Sequence, residues 1–468
     1  MESRDDLDHR YLAFRDRTAA VFALFPQLEP LRHTIFRDFV TQPKPADIRT
    51  TVKHWIRPLL RSQRTDGPPH DTDILLWVEG RRSIIKDTLL PVFDELGRRH
   101  GRAHLVSYDG PADMPAGTTR FSYPAAARAP AWAGPAWDTL CATEPGIDRD
   151  ALRQSFLYAC ANLNSFLTEM DQVLAALRPR VVVAASEQMT GGSALFVTAR
   201  QRGIRTILLQ HGIVQPFYTP LMADVMLTWG RSSSDVLERL GVAPQRLVAT
   251  GSSRHDSMGR TDKPGAKQAL LRELELEDKR TLVFFSNGND VLRNGTAPRE
   301  CARWLNTVAE RFKRKLNVVV RLHPNEDGFL YHDCKSVILT KERPAFETLM
   351  GGCDCVASLC STAMYEALLY GKPVWQFYAD GWPELADNWR NGTAKRVASE
   401  FELTALITRM LNSERRERQG APVRDVFANH GNAAVAVAEY LLSQVRFERV
   451  SHQRQPSSLR EATKHVPL

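Results

Sequence analysis

The stretch Asp73-Ile74-Leu75-Leu76-Trp77-Val78 is a short, nearly continuous apolar run. Such a run suits a strand buried on both faces of a parallel sheet. Residues 83–99 follow, with Leu89, Leu90, Val92, Phe93 and Leu96 as the apolar stripe of a helix. Gly101 ends that helix, and His104-Leu105-Val106-Ser107-Tyr108 supplies the next strand. Together they predict a β-α-β unit.

The pattern resumes downstream. Strands are predicted at 181–185, 206–210, 225–229 and 247–251, with helices at 150–177, 191–202 and 231–240 between them. Residues 110–147, rich in Pro, Ala and Gly, read as a long loop, and 255–279 as a linker with a short helix. A second series starts at Thr281–Ser286. It continues through strands at 317–321, 336–339, 353–358 and 373–377 and helices at 298–315, 344–351, 361–370, 401–413 and 431–445. Alternating strands and helices predict an α/β protein with two Rossmann-like domains. We expect a helical extension over 1–65, an N-terminal Rossmann-like domain over 66–255, a C-terminal Rossmann-like domain over 256–449 and a disordered tail over 450–468. The extension is expected to pack on the first domain; the alternative for its basic segment, around Trp55 and Arg57, is contact with anionic lipid.

The chain has 468 residues, 43 % hydrophobic and 25 % charged, an ordinary globular composition that excludes a mainly disordered or fibrous protein. Its formal charge of +8 suits phosphate-bearing ligands, nucleic acid or an anionic membrane. Seven cysteines without a CxxC pair suit a reducing compartment. The polar start MESRDDLDHR has no secretory signature, and no apolar run is long enough to span a membrane. The expected location is the cytoplasm, including the inner face of its membrane. Two RNGTA pentapeptides, at Asn294 and Asn391, read as turns.

There is no GxGxxG after the first strand and no GxxxxGK[ST]. Asp71-Thr72-Asp73 precedes a strand, the wrong side for a metal motif, and the cysteines at 353, 355 and 360 lack zinc spacing. No metal and no cofactor are expected. Arg321-Leu322-His323-Pro324 stands where a buried strand ends. Arg321 can fork onto phosphate or form a structural salt bridge; His323 can serve a phosphate or leaving group, or cap a turn. Ser361 and Thr362 open a helix with hydroxyls and free N–H groups, an arrangement that suits an anion or a plain N-cap. Glu366 can take a ribose diol or favour the helix dipole. Asn287, Asn289 and Asp290 follow the first strand of the second series, facing the donor or serving turn chemistry. In the first series, Gln210-His211-Gly212 leaves a strand directly, and His211 is a candidate base for an acceptor hydroxyl. Glu187 is a second base candidate or a cap, and Arg254 reaches phosphate or locks the domain junction.

The segments QHG at 210–212, ADVMLTWG at 223–230, GSSRHD at 251–256, RLHP at 321–324, SLCSTAMYEALLYGKPV at 358–374 and FANHGNAA at 427–434 carry a resemblance. Over roughly residues 73–445 the chain resembles GT-B glycosyltransferases of bacterial surface polysaccharide. It is similar in layout to teichoic-acid glycerophosphotransferases and capsule polymerases. RLHP and the Ser-Thr pair also resemble the motifs of bacterial sialyltransferases and Kdo transferases. That resemblance implies donor phosphate binding by His323, Ser361 and Thr362, and a catalytic role for His211. It implies transfer of a sugar or alditol phosphate from a CMP- or CDP-linked donor to a glycan or lipid-linked glycan, without metal, in the cleft between two domains. Alternatives are a hydrolysing UDP-sugar 2-epimerase, which needs several carboxylates around one sugar, and a non-catalytic nucleotide-sugar or polysaccharide-binding protein. No nucleic-acid recognition motif is present.

Overall fold

The computed structural model describes residues 4–41, 72–80, 83–108, 113–121, 128–144, 147, 149–259, 265–287, 297–378, 392–413 and 423–454. The chain divides into two compact units. One holds Ala13–His211, Phe217–Asp256 and Ala428–Leu468; the other holds Met1–Leu12, Gly212–Pro216 and Ser257–Phe427.

Among the described residues the first unit is built on seven parallel strands: β1 (Ile74–Glu79), β2 (Ala103–Tyr108), β3 (Thr119–Phe121), β4 (Val181–Ala184), β5 (Arg205–Leu209), β6 (Val225–Thr228) and β7 (Leu247–Ala249). Their order is β3-β2-β1-β4-β5-β6-β7. All six residues of β1 are buried, as its unbroken apolar run demands. Helix Ser83–Arg98 places Leu89, Val92 and Leu96 in the same core as Leu76 and Val183. The order reverses between β1 and β4, which makes the gap beyond their carboxyl ends the switch point of the sheet.

Residues 13–41 pack within this unit. Phe39 meets the rings of Trp137 and Phe156, each 6.2 Å away, and Arg17 pairs with Glu144 at 2.8 Å. The basic segment around Trp55 lies outside the described residues. Part of the expected 110–147 loop is ordered. β3 pairs with β2, and a helix at Ala133–Thr143 buries Trp137, Leu140 and Cys141. Pro and Gly in that stretch mask elements whose stability comes from tertiary packing. The helix foreseen at 431–445 runs from Ala433 to Arg454, and Val437, Ala438, Leu441 and Val445 join the core of the first sheet. Residues 450–454 are therefore helical, and 455–468 lie outside the described residues.

Among the described residues the second unit has six parallel strands: β8 (Arg280–Phe285), β9 (Leu316–Arg321), β10 (Ile338–Thr340), β11 (Cys355–Ser358), β12 (Val374–Phe377) and β13 (Lys395–Val397). Their order, β10-β9-β8-β11-β12-β13, reverses between β8 and β11. The short edge strand β13 has no signature in the sequence. The fold is therefore α/β with two Rossmann-like domains and an N-terminal helical region. Among the described residues no helix is long and apolar enough to cross a membrane.

Candidate functional site

The two switch points differ in what fills them. In the first sheet the gap is closed from within. Glu79, the last residue of β1, accepts the N–H groups of Gly191 at 2.9 Å and Gly192 at 2.6 Å, and the indole N–H of Trp77 at 3.2 Å. The first two belong to the opening turn of helix Thr190–Gln201, where a bound anion would sit. Gly191 and Gly192 permit this approach. A Cβ on Gly191 would stand 2.7 Å from the Glu79 carboxylate, and one on Gly192 would stand 2.1 Å from Ser186 O. Burial pushes the Glu79 carboxyl above its usual range, against those hydrogen bonds.

Glu187 sits beyond β4, 3 % exposed. Its carboxylate accepts Met222 N–H at 3.1 Å and Ala223 N–H at 3.0 Å, so it anchors the crossover into β6. Arg246 braces the same crossover through Leu221 O at 2.8 Å. Burial pushes the Glu187 carboxyl up to about 8.

His211 is half-buried beyond β5. Tyr218 OH stands 3.5 Å from its Nδ1. The residue before it is fixed by Trp229. Gln210 Oε1 accepts Trp229 N–H at 2.7 Å, and Gln210 O accepts the indole N–H at 2.8 Å. Trp229 also stands edge-on to His255, 5.1 Å between ring centroids. Arg254 Nε donates to His255 Nε2 at 2.9 Å, and Asp256 accepts the N–H groups of Ala433 and Ala434 at 2.9 and 2.8 Å. TWG, GSSRHD and FANHGNAA thus form one knot, which binds the C-terminal helix to the first sheet.

The second switch point is arranged differently. Phe285 is in register with both Arg321 and Ser358, so three strands end in one row. Two residues beyond that row lie Asn287, His323 and Cys360. Asn287 Nδ2 donates to Cys360 Sγ at 3.1 Å, across the switch point. Asn287 is 8 % exposed, and its buried Oδ1 has no hydrogen-bond partner among the described residues. Ser358 Oγ donates to Phe285 O at 2.7 Å and accepts Ser361 N–H at 3.1 Å, setting the turn into helix Ala363–Leu369. Ser361 Oγ accepts Ala363 N–H at 3.3 Å. Thr362 is the N-cap residue and makes no side-chain cap bond; Glu366 is buried in the first turn.

Arg321 turns towards backbone carbonyls. Its guanidinium donates to Pro344 O at 3.0 Å and Glu342 O at 3.1 Å, bracing the loop beyond β10. His323 is exposed; its N–H donates to Glu326 Oε2 at 3.0 Å and its Nδ1 accepts Asn325 N–H at 3.2 Å. Asp290 lies outside the described residues. Asp71 does too, while Asp73 is paired with Arg102 at 2.8 Å and Arg180 at 3.3 Å.

Sequence reading missed Glu79, Trp229, Ser286 and Glu326. Glu79 carried a legible signal, an acid placed at the end of an apolar strand.

No family model and no curated protein matches the sequence. Solved structures match its fold. They include the UDP-GlcNAc 2-epimerase of Neisseria meningitidis bound to UDP-GlcNAc, at 14 % identity over 80 % of this chain and 100 % of that one, TM-score 0.53. The UDP-GlcNAc 2-epimerase of Methanocaldococcus jannaschii matches at 13 % identity over 79 % and 99 %, TM-score 0.52. MnaA of S. aureus with UDP matches at 14 % over 80 % and 98 %, TM-score 0.52. At such identities the shared property is the GT-B-like, two-Rossmann-domain fold.

Proposed function

We propose that the chain is a glycosyltransferase. It moves a sugar or alditol phosphate from a nucleotide-activated donor, CMP- or CDP-linked, to a surface-polysaccharide acceptor. One observation carries the assignment of the donor to the second unit. The switch point of the first sheet is filled by Glu79, whereas that of the second is rimmed by Asn287, Cys360, Ser361 and His323. Open α/β sheets bind ligands at the switch point, beyond the carboxyl ends of the strands.

In the proposed reaction the acceptor oxygen bonds to the transferred group and loses its proton to His211. The bond from that group to the nucleotide phosphate oxygen breaks. The leaving phosphate keeps the electron pair, and its charge is met by His323 and the hydroxyls of Ser361 and Thr362. Glu366 and Asn287 serve the nucleoside. His211 is preferred to Glu187 as base because the Glu187 carboxylate is already bonded to Met222 and Ala223. Arg321 acts by bracing the loop beyond β10, and Arg254 by holding the His255 ring.

The second reading is a UDP-sugar 2-epimerase, favoured by fold relatives that hold UDP-GlcNAc or UDP. It calls for carboxylates around the sugar, and the two buried ones beyond β1 and β4 are engaged with backbone amides. Nucleotide release from CMP-, CDP-, UDP- and GDP-linked donors, with and without surface glycan, separates the two. Acceptor-dependent release supports transfer; acceptor-independent turnover with inversion at the sugar supports the epimerase.

A further inference from the structure

Glu326 has no role in the reaction described so far, yet it is 1 % exposed and lies between the ends of two central strands. Its Oε1 accepts Ser286 Oγ–H at 3.0 Å, just beyond β8, and its Oε2 accepts His323 N–H at 3.0 Å, just beyond β9. Its own N–H donates to His323 O at 2.8 Å, and its carbonyl accepts Lys341 Nζ at 3.0 Å. Because Ser286 gives its proton to the carboxylate, the Tyr331 hydroxyl, 2.8 Å away, donates to Ser286. The relay therefore runs from Tyr331 through Ser286 to Glu326, with His323 N–H arriving from the other side. An ionised carboxylate accepts at both oxygens in this relay; a protonated one gives one oxygen over to its own O–H, which donates instead.

The turn so held also selects the tautomer of His323. Its Nδ1 accepts Asn325 N–H, so the neutral ring carries its proton on Nε2, as a donor suited to a phosphate oxygen.

We propose that Glu326 is a positioning residue for His323: ionised, it holds the turn that presents the imidazole to the donor, and its protonation loosens that turn and weakens donor binding. The role rests on the second sheet's edge being the donor site. Burial pushes the Glu326 carboxyl up to about 6, with the Asp327 carboxylate adding to the rise. His323 N–H, Ser286 and the Lys341 ammonium pull it down. Tyr331 faces it through Ser286 with its own ionisation suppressed by burial. Protonation of His323 itself would strengthen phosphate binding as pH falls, so the two titrations have opposite signs.

The test compares full-length wild type, Glu326→Gln, Glu326→Ala and His323→Ala. Calorimetry reads the affinity for CMP-, CDP- and UDP-linked donors, whose phosphodiesters do not titrate near pH 6. Hydrogen exchange reads the backbone of residues 322–327. Wild-type affinity is expected to fall about tenfold from pH 7.5 to pH 5, as expected if an ionised group is needed. Like the protonated acid, Glu326→Gln offers a single acceptor oxygen, so it should bind at pH 7.5 about as weakly as wild type does at pH 5, with no step near pH 6. Glu326→Ala should bind weakly at every pH and exchange faster at His323 and Asn325. A Glu326→Gln variant that keeps the wild-type pH step overturns the proposal. So does a Glu326→Ala variant that binds donor normally while His323→Ala does not. If His323→Ala also binds donor normally, the donor site itself is wrong.

Discussion

The amide nitrogen of Asn287 and the sulfur of Cys360 are joined across the switch point of the second sheet, 3.1 Å apart. The bond ties the loop leaving β8 to the loop leaving β11. It also leaves Asn287 Oδ1 as a buried acceptor without a partner among the described residues, a group whose desolvation costs free energy until a donor reaches it. A ligand hydroxyl or amine is the expected donor. Asn287→Ala should weaken donor binding by about tenfold, the scale of one hydrogen bond in a dry site, and calorimetry reads the change. Unchanged affinity removes Asn287 from the site.

His211 is the proposed base, and its position depends on Trp229. His211→Ala should lower the rate of acceptor-dependent nucleotide release by about 10²–10⁴-fold with donor affinity retained. Trp229→Phe deletes the donor to Gln210 O and should cost about 1–3 kcal/mol of stability, read by denaturant titration. Its effect on activity should fall on kcat more than on KM, because the imidazole is displaced and the donor site is untouched.

Glu187 makes stability depend on pH. Its native carboxyl titrates at about 8, above the ordinary value of 4.5. The folded chain therefore holds a proton that the unfolded chain has lost. Its contribution is full below pH 4.5, declines as pH rises through the interval up to about 8, and levels off above it. Glu79, shifted in the same direction, adds to the slope. Glu187→Gln should flatten the fall of Tm across this interval, and a fall as steep as in wild type would contradict the assignment.

Two glycines with positive φ should differ sharply. Gly251, at φ +93°, would place a Cβ 2.0 Å from Ala428 O, inside the knot that holds the C-terminal helix. A Cβ on Gly203, at φ +68°, would meet no atom of the described residues within 4 Å. Gly203→Ala should cost about 1–2 kcal/mol, the strain of the left-handed backbone alone. Gly251→Ala should exceed about 4 kcal/mol or fail to fold. Thermal unfolding of the pair checks this.

Much of the fold was legible because buried parallel strands leave long apolar runs, such as 74–78 and 318–320, that no surface segment would carry. Strands β3 and β13, each three residues long, left no such trace. The helix at Ala133–Thr143 was hidden by Pro and Gly, and shows itself only where Trp137 meets Phe39 and Phe156. At the site, the sequence brought out residues at strand ends, among them His211, Asn287, His323 and Ser361. It could not say which way their side chains turn. Arg321 was read as a phosphate fork or an ion-pair partner, and its donors are on the carbonyls of Glu342 and Pro344. Contacts between residues far apart in sequence, such as Glu79 with Gly191, appear only once the sheet is assembled.

The most direct test of the transfer reaction is nucleotide release by the purified chain, measured over CMP-, CDP-, UDP- and GDP-linked donors with and without extracted surface glycan. The expected result is release from a cytidine-linked donor that requires the glycan and is lost in both His211→Ala and His323→Ala. Turnover of a UDP-sugar without acceptor, or donor binding with no turnover across the whole panel, would contradict it.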